Sequence, residues 1–214
     1  LTGSEGLLAG TTEITVKLTP KPQVAQVALA AFDSVEKAGA AVGAIIGAGI
    51  VPGGLEMMDQ AATRAVEAFV HAEYPLDAAA ILLVESDGTA EEVAAEMAEI
   101  RRVLTEAGAT EIRVSKDEAQ RLRFWSGRKA AFPAAGRISP DYYCIDGSIP
   151  RGAVSKVLRR IAELSAHYGL RCANVFHAGD GNLHPLILYD ANVPGEFEKT
   201  EEFAGDILEL SIEV

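Results

Sequence analysis

Strand-like and helix-like segments alternate through the first 115 residues in the order β-α-β-α-β-α-β, on short connections. Two interleaved βαβ units of this kind predict an α+β fold of the ferredoxin-like sandwich type, an antiparallel sheet covered by helices. Pattern alone leaves the strand order open.

The elements follow in order. Val24 to Phe32, "VAQVALAAF", reads as a buried strand. Ser34 is a plausible N-cap for "VEKAGAAVGAIIGAG", a helix that stops at Gly49. "PGGLEMMD" is a short strand leaving a turn, and a helix follows from Gln60 to near Glu73. "AAAILLVESDG" is a second strong strand closed by Asp87-Gly88. Thr89 with Glu92 forms a capping box for a helix running to about Ala107. "EIRVS" is the next strand, and Lys116 to about Phe132 reads as helical. "RISPDYYCIDGSIP" is a loop and a strand. A helix follows with Val154, Val157, Leu158, Ile161 and Leu164 on one face. The chain closes with a His-bearing segment and the amphipathic helix "EKTEEFAGDILELSIEV".

Composition bounds the function. Apolar residues are 49% and charged residues 23% of the 214, as in an ordinary globular protein. The net charge of −12 argues against non-specific nucleic-acid binding, which needs a basic surface. No apolar run of about 18 residues occurs, so no membrane span is expected. Cys144 and Cys172 match no metal-site spacing and read as reduced, buried and structural, which fits an intracellular, cytoplasmic setting. The opening "LTGSEGLLAGTTEITVKLTPKP" reads as a Gly-rich loop and an alternating strand, Thr11 to Leu18, that needs a sheet to join. Both ends read as cut from something longer.

The segment "NVFHAGDGNLHPLILYD" carries His177 and His184 about a Gly-Asp-Gly-Asn core. Asp180-Gly181 between apolar runs is a type I′ hairpin signal. With those two as the loop, His177 stands directly across from His184 on one face, Cβ atoms about 4.5–5.5 Å apart. Two imidazoles so placed can chelate one divalent metal, but they make half a site, and no third ligand is evident. The alternative is a hairpin with two satisfied histidines. Asp180 and Asn182 read as turn residues.

"HAGDGNLHP", with "GSEG" near the start and "FWSGRKAAFPAAGRISPDYYCIDGSIPRGAV" between, resembles the FAD-linked oxidases of the vanillyl-alcohol-oxidase superfamily. The branch resembled holds the glycolate oxidases and the D-lactate and D-2-hydroxyglutarate dehydrogenases. The resemblance implies that residues 1–22 are the last strand of an upstream FAD-binding domain. It implies that residues 23–214 are the cap domain that closes over the flavin, truncated at its C-terminus. His177 and His184 would bind a divalent metal, Zn, Mn or Fe, with a glutamate from a later Glu-His-Gly motif. This sequence stops at Val214 without that motif, or the histidine in it that serves as base. The metal site is therefore expected to be incomplete and the fragment inactive by itself. The FAD contacts are not assigned to residues.

A 2-hydroxy acid offers a carboxylate, and a guanidinium forks onto both its oxygens. In "WSGRK", Arg128 matches the arginine that binds substrate carboxylate in the resembled family. Its other reading is a surface arginine paired with an acidic neighbour. Arg137 and Lys129 are weaker candidates. Where the 2-hydroxyglutarate enzymes carry Thr and Lys for the distal carboxylate, Phe132 and Cys144 stand here, which favours glycolate or D-lactate. Phe124 and Trp125 are pocket or core residues, His71 and His167 surface or cap residues, and Glu85 faces either way. The chain is thus expected to be the substrate-binding portion of an FAD-dependent 2-hydroxy-acid oxidoreductase, with partner subunits possible. Two other readings stand: a non-catalytic metabolite- or metal-binding module, and a subunit-assembly module.

Overall fold

The computed structural model describes residues 1–4 and 6–214. Its strands are β1 (Val24–Phe32), β2 (Gly54–Asp59), β3 (Ala80–Gly88), β4 (Glu111–Val114), β5 (Asp141–Cys144), β6 (Gly147–Ser148), β7 (Arg171–His177) and β8 (Asn182–Tyr189). The helices are α1 (Val35–Gly47), α2 (Gln60–Val70), α3 (Ala90–Glu106), α4 (Glu118–Lys129), α5 (Ala131–Ala135), α6 (Val154–Tyr168) and α7 (Glu196–Glu213). All eight strands form one antiparallel sheet in the order β4-β1-β3-β2-β7-β8-β5, with β6 beside β8.

The first half is ferredoxin-like in strand order, β4-β1-β3-β2, with α2 inserted between β2 and β3. The second half does not build a separate sandwich. It extends the same sheet through β7, whose register pairs with β2 are Met57↔Phe176 and Met58↔Val175. Helices cover both faces, which is why β1 reads as a continuous apolar run rather than an alternation. Ala28, Ala30 and Phe32 face the core under α1, α3, α6 and α7. Val27, Leu29 and Ala31 face the core under α2, α4 and α5.

Local chemistry sets the boundaries. Ser34, Asp59, Thr89 and Asp117 each accept a backbone N–H at a helix start, and Thr89 with Glu92 completes the capping box. The helix expected from Lys116 to Phe132 is two helices, broken at Ala130. Pro133 lacks the N–H that would bond the Lys129 carbonyl, so the continuous helix cannot propagate.

Two expectations fail here. Residues 11–18 form no strand, and Ile14, Val16 and Leu18 are exposed. A strand gains its stability from a partner, and this segment has none among the described residues. Cys144 is exposed rather than buried, because β5 is an edge strand; Cys172 is partly buried, and burial pushes its thiol well above the usual value. Among the described residues no helix is long and apolar enough to cross a membrane.

The joint between the halves is testable. Phe176 is fully buried beside Met57 at the seam. Phe176→Ala is expected to cost about 3–5 kcal/mol of unfolding free energy, whereas Leu122→Ala on the exposed side of α4 stays within about 0.5 kcal/mol. Urea unfolding measures both.

Candidate active site at the β2–β7 seam

Parity places the site residues. On the α2, α4 and α5 face, β2 presents Glu56 beside Met58, and β7 presents His177 beyond Val175. Continuing the register one residue past Met57↔Phe176 sets Glu56 opposite His177. On β8 the same face carries Asn182 and His184, next to Leu186 and Leu188.

The hairpin differs from the expected one. His177 pairs with Asn182, and His184 pairs with Val175. The loop is therefore 178–181, four residues instead of two, and the histidines are diagonal rather than directly opposed. The reason lies in competing partners. Gly179 donates its N–H to Leu55 across the seam (2.9 Å), so it cannot pair with Asn182. Gly181 accepts from the Ile149 N–H (2.9 Å) and has φ +75°, while Asp180 is not left-handed as a type I′ turn requires. The shift is two residues, and an even shift keeps each side chain on its face. The imidazoles still meet, with ring centroids 5.1 Å apart and planes 86° apart.

Arg128 reaches this pair from the last turn of α4. The helix approaches closely because Gly127 lies against the Tyr74 ring, where a Cβ would come within 2.4 Å. The Tyr74 hydroxyl, donating to the Phe124 carbonyl, ties down the same turn. Arg128 is buried, contrary to the surface reading, with only 9% of its side chain exposed. Its Nε donates to Glu56 Oε2 at 2.8 Å. Its Nη2 lies 3.4 and 3.5 Å from the two ring nitrogens of His177. The other Glu56 oxygen, Oε1, is 2.8 Å from His177 Nδ1.

His177 is the open member, its side chain 42% exposed. His184 lies deeper, edge-on to Phe132 with ring centroids 6.0 Å apart. Burial holds its pKa below the ordinary histidine value, partly offset by Asp146, which favours the neutral ring. His184 Nδ1 and Asn182 Oδ1 are buried and have no hydrogen-bond partner among the described residues. Unpaired buried polar atoms are rare, and these two lie on the same sheet face as His177, where they could accept from or donate to a ligand.

Glu56 is the residue the sequence reading missed. Its signal was a second carboxylate inside "GLEMMD", a strand covered on both faces, where Asp59 is accounted for as a helix cap and Glu56 is not, and where acids are seldom buried unpaired. Asn182 is part of the site face and not only a turn residue. Glu85 faces inward on the same face, held by Arg121 at 2.7 Å and by the Trp125 indole N–H. Phe124 is core. Lys129 and Arg137 point elsewhere; both are exposed, and Arg137 lies over Phe69. His71 caps α2 and His167 is exposed on α6. A cavity of about 760 Å³ lined by residues 21–26 and the starts of α3 and α4 touches Glu85 and Arg121 but none of the histidines. It lies away from the chemistry.

Residues 21–214 match the family described as FAD linked oxidases, C-terminal domain. The chain belongs to that family. It is 64% identical over 213 residues to glycolate oxidase subunit GlcD of Escherichia coli (strain K12), covering 100% of this chain and 43% of that protein. It is 32% identical over 212 residues to the subunit GlcD of Bacillus subtilis (strain 168), covering 99% and 45%. D-lactate dehydrogenase of Anaerostipes hadrus is 30% identical over 207 residues, covering 92% and 43%. The chain thus spans less than half the length of these relatives. Among solved structures, p-cresol methylhydroxylase with substrate bound superposes with a TM-score of 0.66 at 14% identity, covering 89% of this chain and 44% of that one. Alkyldihydroxyacetonephosphate synthase gives 0.65 at 11% identity, covering 90% and 40%. At such identities these likenesses establish a shared fold alone.

The Arg128–Glu56 pair is buried enough to matter for stability. Arg128→Met leaves the carboxylate inside without its cation and is expected to cost about 3–5 kcal/mol. The double variant Arg128→Met/Glu56→Gln recovers part of that loss in urea unfolding. A loss in the double variant equal to the sum of the Arg128→Met and Glu56→Gln single losses would show the two residues to be uncoupled.

Proposed function

We propose that this chain is the substrate-binding portion of an FAD-dependent oxidoreductase that converts a small 2-hydroxy acid, glycolate or D-lactate, to the 2-oxo acid. The observation that carries the reading is the convergence of Arg128, His177 and His184 on one end of one sheet face. The family membership and the names of the relatives support it.

Arg128 clamps the substrate carboxylate. Its Nε is already engaged by Glu56, so the clamp is the outer pair of guanidinium nitrogens. That fixes the carbinol carbon beside the imidazoles. Oxidation of the carbinol requires a base for the hydroxyl proton and an acceptor for the α-hydrogen with its two electrons, which FAD, held mainly by an upstream domain, would supply when bound. Residues 1–22 are read as the last strand of that domain, and the exposed Ile14, Val16 and Leu18 suit a strand whose sheet lies there. Phe132, edge-on to His184, and Cys144, opposite Leu186, wall the site with groups that cannot hold a second carboxylate. This favours a short acid.

The two imidazoles fit two positions of a divalent ion such as Zn, Mn or Fe, and burial that disfavours the charged form of His184 suits a ligand. Such an ion would polarise the hydroxyl oxygen. Among the described residues no group of three or more His, Cys, Asp or Glu side chains is placed to hold a metal ion, so the two histidines supply part of a site. The GlcD relatives are named as oxidase subunits, which supports assembly with partner subunits.

The test uses the parent polypeptide. Its flavin absorbance is followed anaerobically as glycolate, D-lactate and D-2-hydroxyglutarate are added. Bleaching by one of the first two is expected, and a flavin reduced by none of the three would sink the assignment. Arg128→Lys keeps the charge but loses the fork, and is expected to raise KM about 10- to 100-fold.

A further inference from the structure

We infer that Glu56 sets the proton position on His177 and so decides which ring atom that imidazole turns toward the ligand. The inference rests on the proposed function and deepens it. Glu56 stands opposite His177 across the seam, and its carboxylate is divided between two partners: Oε1 to His177 Nδ1 at 2.8 Å and Oε2 to Arg128 Nε at 2.8 Å. A carboxylate paired with a guanidinium only accepts hydrogen bonds, so Nδ1 carries the proton. The lone pair of the neutral ring is then on Nε2. Arg128 Nη2 is nearly equidistant from both ring nitrogens and singles out neither. Glu56 is only 13% exposed, so water does not readily replace it. Nε2 is thereby held as an electron-pair donor for an acceptor in the site, a divalent cation or the hydroxyl hydrogen of the substrate.

Glu56 is a positioning residue in this account, since it touches neither substrate nor cofactor. Its isostere separates the roles. Glu56→Gln offers one acceptor and one donor where the carboxylate offered two acceptors. With the amide oxygen on Arg128 Nε, the amide NH2 faces His177 Nδ1 and forces the ring proton onto Nε2. The packing and the guanidinium stay, while the lone pair leaves the site.

The experiment uses the parent enzyme with Glu56→Gln, His177→Ala and the double variant. Glu56→Gln is expected to keep its flavin and melting temperature and to reduce flavin by 2-hydroxy acid at least about a hundredfold more slowly. A 2-oxo acid, titrated onto the oxidised enzyme by flavin absorbance, is expected to bind unchanged or tighter, because Arg128 keeps its place and a negative charge is gone. In the His177→Ala background, Glu56→Gln is expected to change the residual rate by no more than about twofold. Metal analysis separates the two acceptors. Bound zinc or manganese weakened about 10- to 100-fold identifies a cation, and unchanged content identifies the substrate hydroxyl; both support the assignment. Reduction by Glu56→Gln at the parent rate, the same loss in both backgrounds, or a 2-oxo acid bound tenfold more weakly at unchanged metal content would each overturn it. If Glu56→Gln does not fold, Glu56→Asp enters the same cycle, its carboxylate one methylene too short to hold both partners. Full turnover by His177→Ala would sink the proposed role of that histidine and this inference together. An inactive His177→Ala beside an active Glu56→Gln would sink the inference alone.

Discussion

The joint between β2 and β7 positions everything that matters for chemistry. Two register pairs carry it, Met57↔Phe176 and Met58↔Val175. One residue further along, the pairing gives way to side chains, and Glu56 meets His177 where the next pair would fall. The same step admits Arg128 from α4. Three residues distant in sequence thus meet because an apolar ladder ends at one place. The ladder is core and the next position is site, and no loop separates them.

This placement explains why a buried ion pair is tolerated. Two charges taken from water cost several kcal/mol each, and mutual attraction restores that only with good geometry and further hydrogen bonds. Glu56 satisfies both requirements, since each of its oxygens has a partner at 2.8 Å. An apolar pair of equal volume would pack as well. It would not hold an imidazole in one tautomer or a guanidinium at one angle. The polar cluster is best understood as orientation gained at little or no gain in stability.

Legibility in the sequence followed periodicity and local chemistry. The elements of the first half were readable because caps and turns punctuate them: Ser34, Thr89 with Glu92, and Gly108 act within a few residues of their own backbone. The join of both halves into one sheet was not readable, since long-range pairing leaves no local mark. The strand expected at residues 11–18 failed for the related reason that alternation shows a segment can pair, not that a partner is present. In the site, His177, His184 and Arg128 stood out through motif and residue type. Glu56 did not, because an acid in the middle of a short strand becomes informative only once both faces are known to be covered. The hairpin was misjudged by two residues because Leu55 and Ile149, remote in sequence, capture the loop's backbone groups.

A chain of net charge −12 is proposed to bind an anion, and the two statements are compatible for a reason of length scale. Charges separated by more than about 8 Å of solvent are largely screened at physiological ionic strength. The acidic residues on α3, such as Glu91, Glu92 and Glu99, lie on the opposite side of the sheet from the site. Within the site, Glu56 cancels most of the Arg128 charge as seen from a distance. At contact the cancellation fails, because Glu56 occupies the Nε edge and leaves the outer nitrogens to donate. Such an arrangement attracts little from afar and discriminates at close range. On the proposed reading, selection for a 2-hydroxy acid therefore resides in hydrogen-bond geometry rather than in electrostatic steering, and its affinity should depend weakly on salt.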